Sequence, residues 1–103
     1  RLYQIPVPVI RNDGKHYAPG THKAFLRTVA FLAGGFTLLD EAKGVWRDPK
    51  DGKLYTEAMR PLQVACELEA LDGIKAAFVR AFPDQKCLMV ADLGAVTFTD
   101  LEE

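Results

Sequence analysis

Long hydrophobic runs and blocks of one charge are both missing from this 103-residue sequence. No apolar segment approaches the roughly 18 residues that a membrane-spanning helix needs, so a membrane span is not expected. The 13 basic and 14 acidic residues are spread along the chain and give a formal net charge of -1. A polyanion needs a clustered basic surface, and nucleic acid is therefore not an expected partner.

A charged leader followed by an apolar segment, the pattern of secretory signal peptides, is also missing. The sequence begins with Arg1 rather than with methionine. The missing leader slightly favours a cytoplasmic protein, whereas the first residue leaves an exported mature chain as the alternative.

Cysteine is scarce, with only Cys66 and Cys87 in the chain. Both lie in apolar segments, where a free thiol behaves as a small hydrophobic side chain. We therefore expect two buried free thiols and no disulfide.

What the sequence does contain is the composition of a globular domain, with 49% hydrophobic and 26% charged residues. A chain of this length fits one domain and buries roughly two-thirds of the surface that its unfolded state exposes. We expect residues 1–103 to form a single domain.

Two helices are predicted by apolar residues at intervals of three and four. Thr21 suits the N-cap of the first helix, and Gly34 suits its end. Pro83 stops the pattern of the second helix. The predicted buried positions are Phe25, Val29 and Leu32 in the first helix, and Leu71, Ile74, Phe78 and Phe82 in the second.

Strands are predicted on either side of these helices. The first, over residues 3–10, alternates apolar residues with Gln4, Pro6 and Pro8, and the two prolines require a free edge or a short or bulged pairing on one side. A hairpin follows the first helix, with a bulge at residues 42–44, a turn at residues 48–52 and a return strand from Leu54. Pro61 predicts a kink before a further strand, over residues 62–66.

The order of elements predicts an α+β fold of the ferredoxin-like, split βαβ kind. Its antiparallel sheet carries two helices on one face and a long β-hairpin insertion. The last predicted strand, at residues 87–91, includes Leu88, Met89 and Val90 and is apolar on both faces. This apolarity favours a homodimer that packs through the sheet face.

The hairpin contains one group of candidate ligand-binding residues. Trp46 and Arg47 lie on one arm, and Tyr55 lies on the other, within reach of a cross-strand contact. An aromatic wall beside an arginine suits an anionic or planar ligand. The alternative is a tryptophan that packs beneath the hairpin, with solvated charges around it.

A second group surrounds the start of the first helix. His16, Tyr17 and His22 could bind an anion there or exchange a proton with it. A metal would need a third ligand, for which Asp13 is nearest, but the spacing matches no zinc motif, and we expect no metal and no cofactor. Surface histidines in a capping loop are the alternative.

Arg60 is the last candidate. It could present its guanidinium at the open face of the sheet and bind a carboxylate. The alternative is an ion pair with Asp40 or Glu57.

The segment from residue 36 to residue 66 resembles a domain-of-unknown-function family of small bacterial proteins, several of them secreted or lipid-anchored. The resemblance covers mainly the central hairpin and implies a fold rather than an activity. The matching positions are Leu39, Asp40, Gly44, Trp46 and Gly52.

Two functions are compatible with these observations. The first is a binding or interaction module, in which the sheet face and the hairpin contact a second copy and a small molecule binds. The second is a cofactor-free enzyme of isomerase or oxygenase type, built like the dimeric ferredoxin-like barrels and acting on a small anionic or aromatic molecule. The enzyme requires His16 or His22 to converge with Tyr17, Arg47 or Arg60 on an apolar pocket.

Overall fold

A computed structural model describes residues 1–101. The elements are β1 (Leu2–Pro8), α1 (Thr21–Ala33), β2 (Thr37–Leu38), β3 (Ala42–Arg47), β4 (Leu54–Ala65), α2 (Leu68–Ala81) and β5 (Ala91–Gly94). The strands form one five-stranded sheet in the order β2-β4-β1-β5, with β3 also paired to β4, and every pairing is antiparallel. The predicted α+β fold and split βαβ order are confirmed.

The core lies between the sheet and the two helices, as predicted. The predicted burial of Leu32 is wrong: its side chain lies against Gly73 of the other helix, outside the core, and is 37% exposed. Successive side chains of a strand point to opposite faces, and those of β1 and β4 that point to the helices are buried. No helix covers the other face of the sheet in the described part of the chain. The core residues are Tyr3, Ile5 and Val7 of β1, Leu62 and Val64 of β4, Phe25 and Val29 of α1, Leu71, Ile74, Ala77 and Phe78 of α2, and Phe82 just after it.

The ends of α1 are set by glycine. Gly34 ends the helix in the left-handed conformation, at φ 84°, and donates its N–H to the carbonyl of Ala30. The predicted N-cap is wrong by one position: Gly20 occupies it, at φ 86°, and no side chain caps the helix. Thr21 is the first helical residue, because Gly20 already makes the turn into the helix.

Pro6 and Pro61 lie directly opposite each other in the ladder between β1 and β4. Neither has an N–H, so each must direct its nitrogen away from the other strand. β5 pairs with β1 only over residues 2–4, which leaves the nitrogen of Pro6 without a strand to face. The prediction that the pairing beside the first strand is short is confirmed.

Pro61 does not interrupt its strand, and the two predicted strands, the return strand from Leu54 and the strand at residues 62–66, form one element. β4 runs unbroken from Leu54 to Ala65. The nitrogen of Pro61 faces the gap between β2 and β3, where no ladder bond is lost.

The predicted bulge exists three residues earlier than expected. Leu38 faces Leu62 and Ala42 faces Met59, so the three residues 39–41 lie opposite only two residues of β4. Residues 42–44, the predicted bulge, instead pair regularly within β3. The extra residue falls where Pro61 removes a ladder donor.

The last strand lies later than predicted, at Ala91–Gly94. Leu88 and Val90 pack against the core from a segment outside the sheet, whereas Met89 is 58% exposed. Burial of this segment on both faces, from which we inferred a sheet-to-sheet dimer, is therefore wrong. The segment is apolar on the one side that touches the core.

The hairpin of β3 and β4 projects from the body of the protein. Its turn at residues 48–52 is as predicted, with Gly52 at φ 70° donating to the carbonyl of Asp48. The protein measures 55 × 29 × 24 Å and has a radius of gyration of 15.0 Å, above the roughly 13 Å of a compact 100-residue domain. The projecting hairpin explains the difference.

Both cysteines are free, as predicted. Cys66 is partly buried, and burial raises the pKa of its thiol. Cys87 is exposed, contrary to the prediction, because residue 87 precedes the strand. Over the described residues, neither helix is long and apolar enough to span a membrane.

Candidate functional site

An apolar groove of about 240 Å³ opens between the start of α1 and the end of β1. Its floor is formed by Val7, Pro8 and Val9. Val7 and Pro8 are buried, and Val9 continues the pairing beyond the strand by donating its N–H to Ala58. The groove therefore has a rigid backbone floor.

One wall of the groove comes from α1, and the other comes from the strands β2 and β4. Leu26 of α1 and Leu38 of β2 supply its apolar surfaces, and His22 and Arg60 supply its polar side chains. Because Leu26 is one turn of helix after His22, both side chains lie on the same face of α1.

Arg60 reaches the groove because of its place on β4. Leu62 and Val64 point to the helices, and Arg60 continues this series, directly opposite Val7. It is the position at which the buried face of the sheet meets solvent, and its side chain is exposed. The sequence therefore places a guanidinium at the mouth of an apolar groove.

The bulge between β2 and β3 fixes the Arg60 side chain. Its Nε donates a 2.9 Å hydrogen bond to the carbonyl of Leu39, a residue that also donates its own N–H to Pro61. Within residues 1–101, the two Nη groups of Arg60 have no protein acceptor. Neither alternative ion pair, with Asp40 or with Glu57, forms.

A hydrogen bond and two ring contacts hold His22 in the wall of the groove. Its Nε2 lies 2.7 Å from the carbonyl oxygen of Pro8. A carbonyl oxygen only accepts, so Nε2 carries a proton and donates. The ring also packs against Tyr17 and Phe82, each with a centroid distance of 5.4 Å, so its orientation is fixed on several sides.

Tyr17 packs its ring against His22 and is itself held by hydrogen bonds. Its hydroxyl donates a 2.9 Å hydrogen bond to Oδ1 of Asp84 and accepts one from Gln85. Burial, followed by the bond to Asp84, raises the pKa of Tyr17 to about 12. Tyr17 is thus a neutral structural contact at ordinary pH.

Six of the seven predicted site residues separate into two locations. Tyr17, His22 and Arg60 lie in or beside the groove, whereas Trp46, Arg47 and Tyr55 lie on the hairpin. His16 is exposed and does not line the groove, although Tyr17 and His22 do meet.

The hairpin residues form an aromatic pair across the strands. The rings of Trp46 and Tyr55 stack at 5.1 Å with an interplanar angle of 24°. The Tyr55 hydroxyl donates a 2.8 Å hydrogen bond to Asp51, and the Arg47 side chain lies over Gly52 in the turn. Trp46 is 45% exposed, so it does not pack beneath the hairpin as the alternative expected.

Several residues of the groove were not among the sequence candidates. Leu26 and Leu38 gave the signals of ordinary core positions. Asp84, which bonds Tyr17 outside the groove, carried no signal. The alternation that places Val7 and Val9 on one face of the first strand was the one available indication of the floor.

Comparison with known proteins gives a structural likeness. No protein-family model and no curated protein sequence matches the chain. Fourteen chains of solved structures match. The divalent cation tolerance protein CutA1 of Thermus thermophilus is 13% identical, with a TM-score of 0.69 over 95% of this chain and 85% of that one.

CutA1 of Oryza sativa gives a similar result. It is 15% identical, with a TM-score of 0.68 over 95% of this chain and 81% of that one. Identities this low show a shared architecture and carry no residue roles. The chain therefore has the fold of the CutA1 structures, which is the ferredoxin-like α+β fold derived above.

Proposed function

We propose that this protein is a non-catalytic binding module that works as a homodimer joined through the helix-free face of its sheet. The observation that carries the proposal is the one-sided covering of the sheet. Both helices pack on one face, and no element of the described chain covers the other. An antiparallel sheet can leave such a face in water or bury it against a second layer, and we infer the second layer from the residues on this face.

The chemistry of the uncovered face suits a second copy. At its centre, Gln63 donates a 3.0 Å hydrogen bond to Gln4 on the neighbouring strand. Pro6, Pro61 and Met59 lie along the same face and are partly buried. A surface that combines apolar side chains with neutral polar ones at its centre pairs with its own copy without like-charge repulsion.

The environment of the candidate acid–base groups favours binding over catalysis. Nε2 of His22 already donates to Pro8, and the Tyr17 hydroxyl already bonds Asp84. A general acid or base must have its reactive atom available to a substrate. The enzyme alternative requires several polar side chains to meet at one apolar pocket. Only Arg60 and one edge of the His22 ring do so in the groove.

No metal function is proposed, although the similar Thermus thermophilus structure is named for divalent cation tolerance. Residues 1–101 contain no group of three or more His, Cys, Asp or Glu side chains placed to hold a metal ion. The resemblance of the hairpin to small bacterial proteins of unknown function stays a prediction, and it adds no reaction.

The test is the mass of the protein by light scattering after gel filtration. We expect two chains for the wild type and one for Gln4→Lys, because the substitution places two ammonium groups in the centre of the interface. Thr37→Lys provides a second variant on the same face, at an exposed position where folding tolerates the change. Ala76→Lys, on the exposed side of α2, is the control and should leave the mass unchanged.

A wild type that stays monomeric up to high concentration would contradict the dimer. A folded Thr37→Lys variant and a folded Gln4→Lys variant that both keep the wild-type mass would contradict the proposed face. Circular dichroism checks the folding of each variant.

A further inference from the structure

We propose that the groove between α1 and β1 binds a small monocarboxylate with an apolar body, whose carboxylate pairs with Arg60. The inference gives a ligand class to the binding module proposed above, and in that respect it rests on that proposal. Neither the sequence comparisons nor the structural likeness assigns a ligand to these residues.

The charge of the groove selects a monoanion. Arg60 is the one arginine, lysine or acidic residue among the side chains that line it. With Nε bonded to Leu39, the N–H groups on its two Nη atoms face no protein acceptor within the described chain. Two parallel N–H groups match the two oxygens of a carboxylate, and the bonds gain strength because both partners are charged.

The size and the lining of the groove indicate the apolar body that is attached to the carboxylate. Its volume of about 240 Å³ lies above the roughly 150 Å³ of a cavity that binds benzene and below the roughly 300–1,000 Å³ of pockets for drug-sized ligands. Val7, Leu26 and Leu38 make its surface mainly apolar. A ring or chain of about six carbons next to the carboxylate fits this space.

The groove is organised before any ligand binds. Arg60 is fixed by the Leu39 carbonyl, and His22 is fixed by the Pro8 carbonyl and by the rings of Tyr17 and Phe82. A site whose side chains are already ordered loses less conformational entropy on binding. A small ligand, which gains little contact energy, can therefore bind measurably.

The probe is cyclohexanecarboxylate, titrated into the full chain labelled with ¹⁵N. We expect saturable shifts of the Arg60 Nε–H signal and of the Val7, Val9 and Leu26 amides. Acetate keeps the charge without the ring, and cyclohexylmethanol keeps the ring without the charge. Each should bind at least about tenfold more weakly, since a charge-assisted pair and a buried ring each contribute a factor of this order.

Two arginine variants form the matched comparison. Arg60→Gln should weaken cyclohexanecarboxylate binding by about tenfold or more and leave cyclohexylmethanol binding unchanged. Arg47→Gln removes an arginine from the hairpin, outside the groove, and should change neither. Leu26→Trp fills the groove and should abolish the binding of both ligands.

Equal affinity for acetate and cyclohexanecarboxylate, or equal loss of affinity in the Arg47→Gln and Arg60→Gln variants, would overturn the proposal. Inorganic phosphate that competes as well as the carboxylate would overturn the ligand class. If Arg60→Gln does not fold, the comparison of the three ligands on the wild type still decides.

The same samples separate this inference from the proposed function. Light scattering reports the dimer, whose proposed interface is on the opposite face of the sheet from the groove. Mass spectrometry after incubation reports whether the ligand is recovered unchanged. A monomer that binds the carboxylate overturns only the proposed dimer. A ligand recovered in chemically changed form overturns only the non-catalytic function. A dimer that does not bind the carboxylate overturns only the proposed ligand site.

Discussion

The Tyr17 hydroxyl donates a 2.9 Å hydrogen bond to the carboxylate of Asp84 across 67 residues of sequence. The same carboxylate accepts the N–H of Asn12 at 2.8 Å. Burial tends to raise the pKa of Asp84, but these donated hydrogen bonds lower it overall. The loop after β1 is thereby fastened to the segment after α2, and Tyr17 is fixed against His22.

The raised pKa of Tyr17 predicts a stability change at alkaline pH. The unfolded phenol has a pKa of about 10, and the folded one has a pKa of about 12. The neutral phenol is therefore favoured by folding, and its contribution is fully present below pH 10 and is lost as the pH rises to about 12. The free energy of unfolding of the wild type should fall in this range relative to that of Tyr17→Phe, measured by urea denaturation. Parallel curves would show that Tyr17 titrates normally.

Phe82 should be the most costly aromatic residue to truncate. It is fully buried, and its ring lies 5.0–5.4 Å from four other rings, those of Tyr17, His22, Phe25 and Phe78. Phe82→Ala should reduce the free energy of unfolding by about 3–5 kcal/mol. The control, Phe31→Ala, removes a ring that is 87% exposed and should change the free energy by less than about 0.5 kcal/mol. Similar urea midpoints for the two variants would contradict this assignment.

The two glycines after α1 should respond oppositely to alanine. Gly34 has φ 84°, a conformation that costs a residue with a Cβ about 1–2 kcal/mol, so Gly34→Ala should destabilise by that order. Gly35 has no positive φ and no heavy atom within 4 Å of an added Cβ. Gly35→Ala should be neutral or stabilise by up to about 1 kcal/mol. Thermal unfolding of both variants under one condition measures the difference, and equal melting temperatures would refute it.

Loss of the Trp46–Tyr55 stack should loosen the hairpin alone. A stacked pair contributes about 0.5–1.5 kcal/mol beyond buried area, and β3 makes its extensive contacts with β4. Trp46→Ala should speed hydrogen exchange of the amides at residues 42–47 and leave those of α1 and α2 unchanged. Val45→Ala, at an exposed neighbouring position without a ring contact, should have a smaller effect. Faster exchange in the helices would show that the hairpin stabilises the core.

The periodicity of the sequence predicted the helices and the buried face of the first strand, because Phe25, Val29, Ile74 and Phe78 repeat at helical spacing. The turn at residues 48–52 was predictable from local chemistry, since Asp48 and Gly52 suit it in any context. The candidate groove was predicted only in part. His22, Tyr17 and Arg60 were found as residue types, but their convergence depends on a strand pairing that no local pattern encodes.

The sequence by itself determined the α+β class, the order of elements, the end of α1 at Gly34 and the hairpin, because each follows from spacing or from the backbone preference of one residue. The tertiary structure decided where chain segments far apart in sequence meet. It placed the nitrogens of Pro6 and Pro61 beside gaps in the pairing, moved the bulge to residues 39–41 and brought Arg60 beside His22. These outcomes depend on sheet register and on packing between distant segments, and such contacts form only when the whole chain folds.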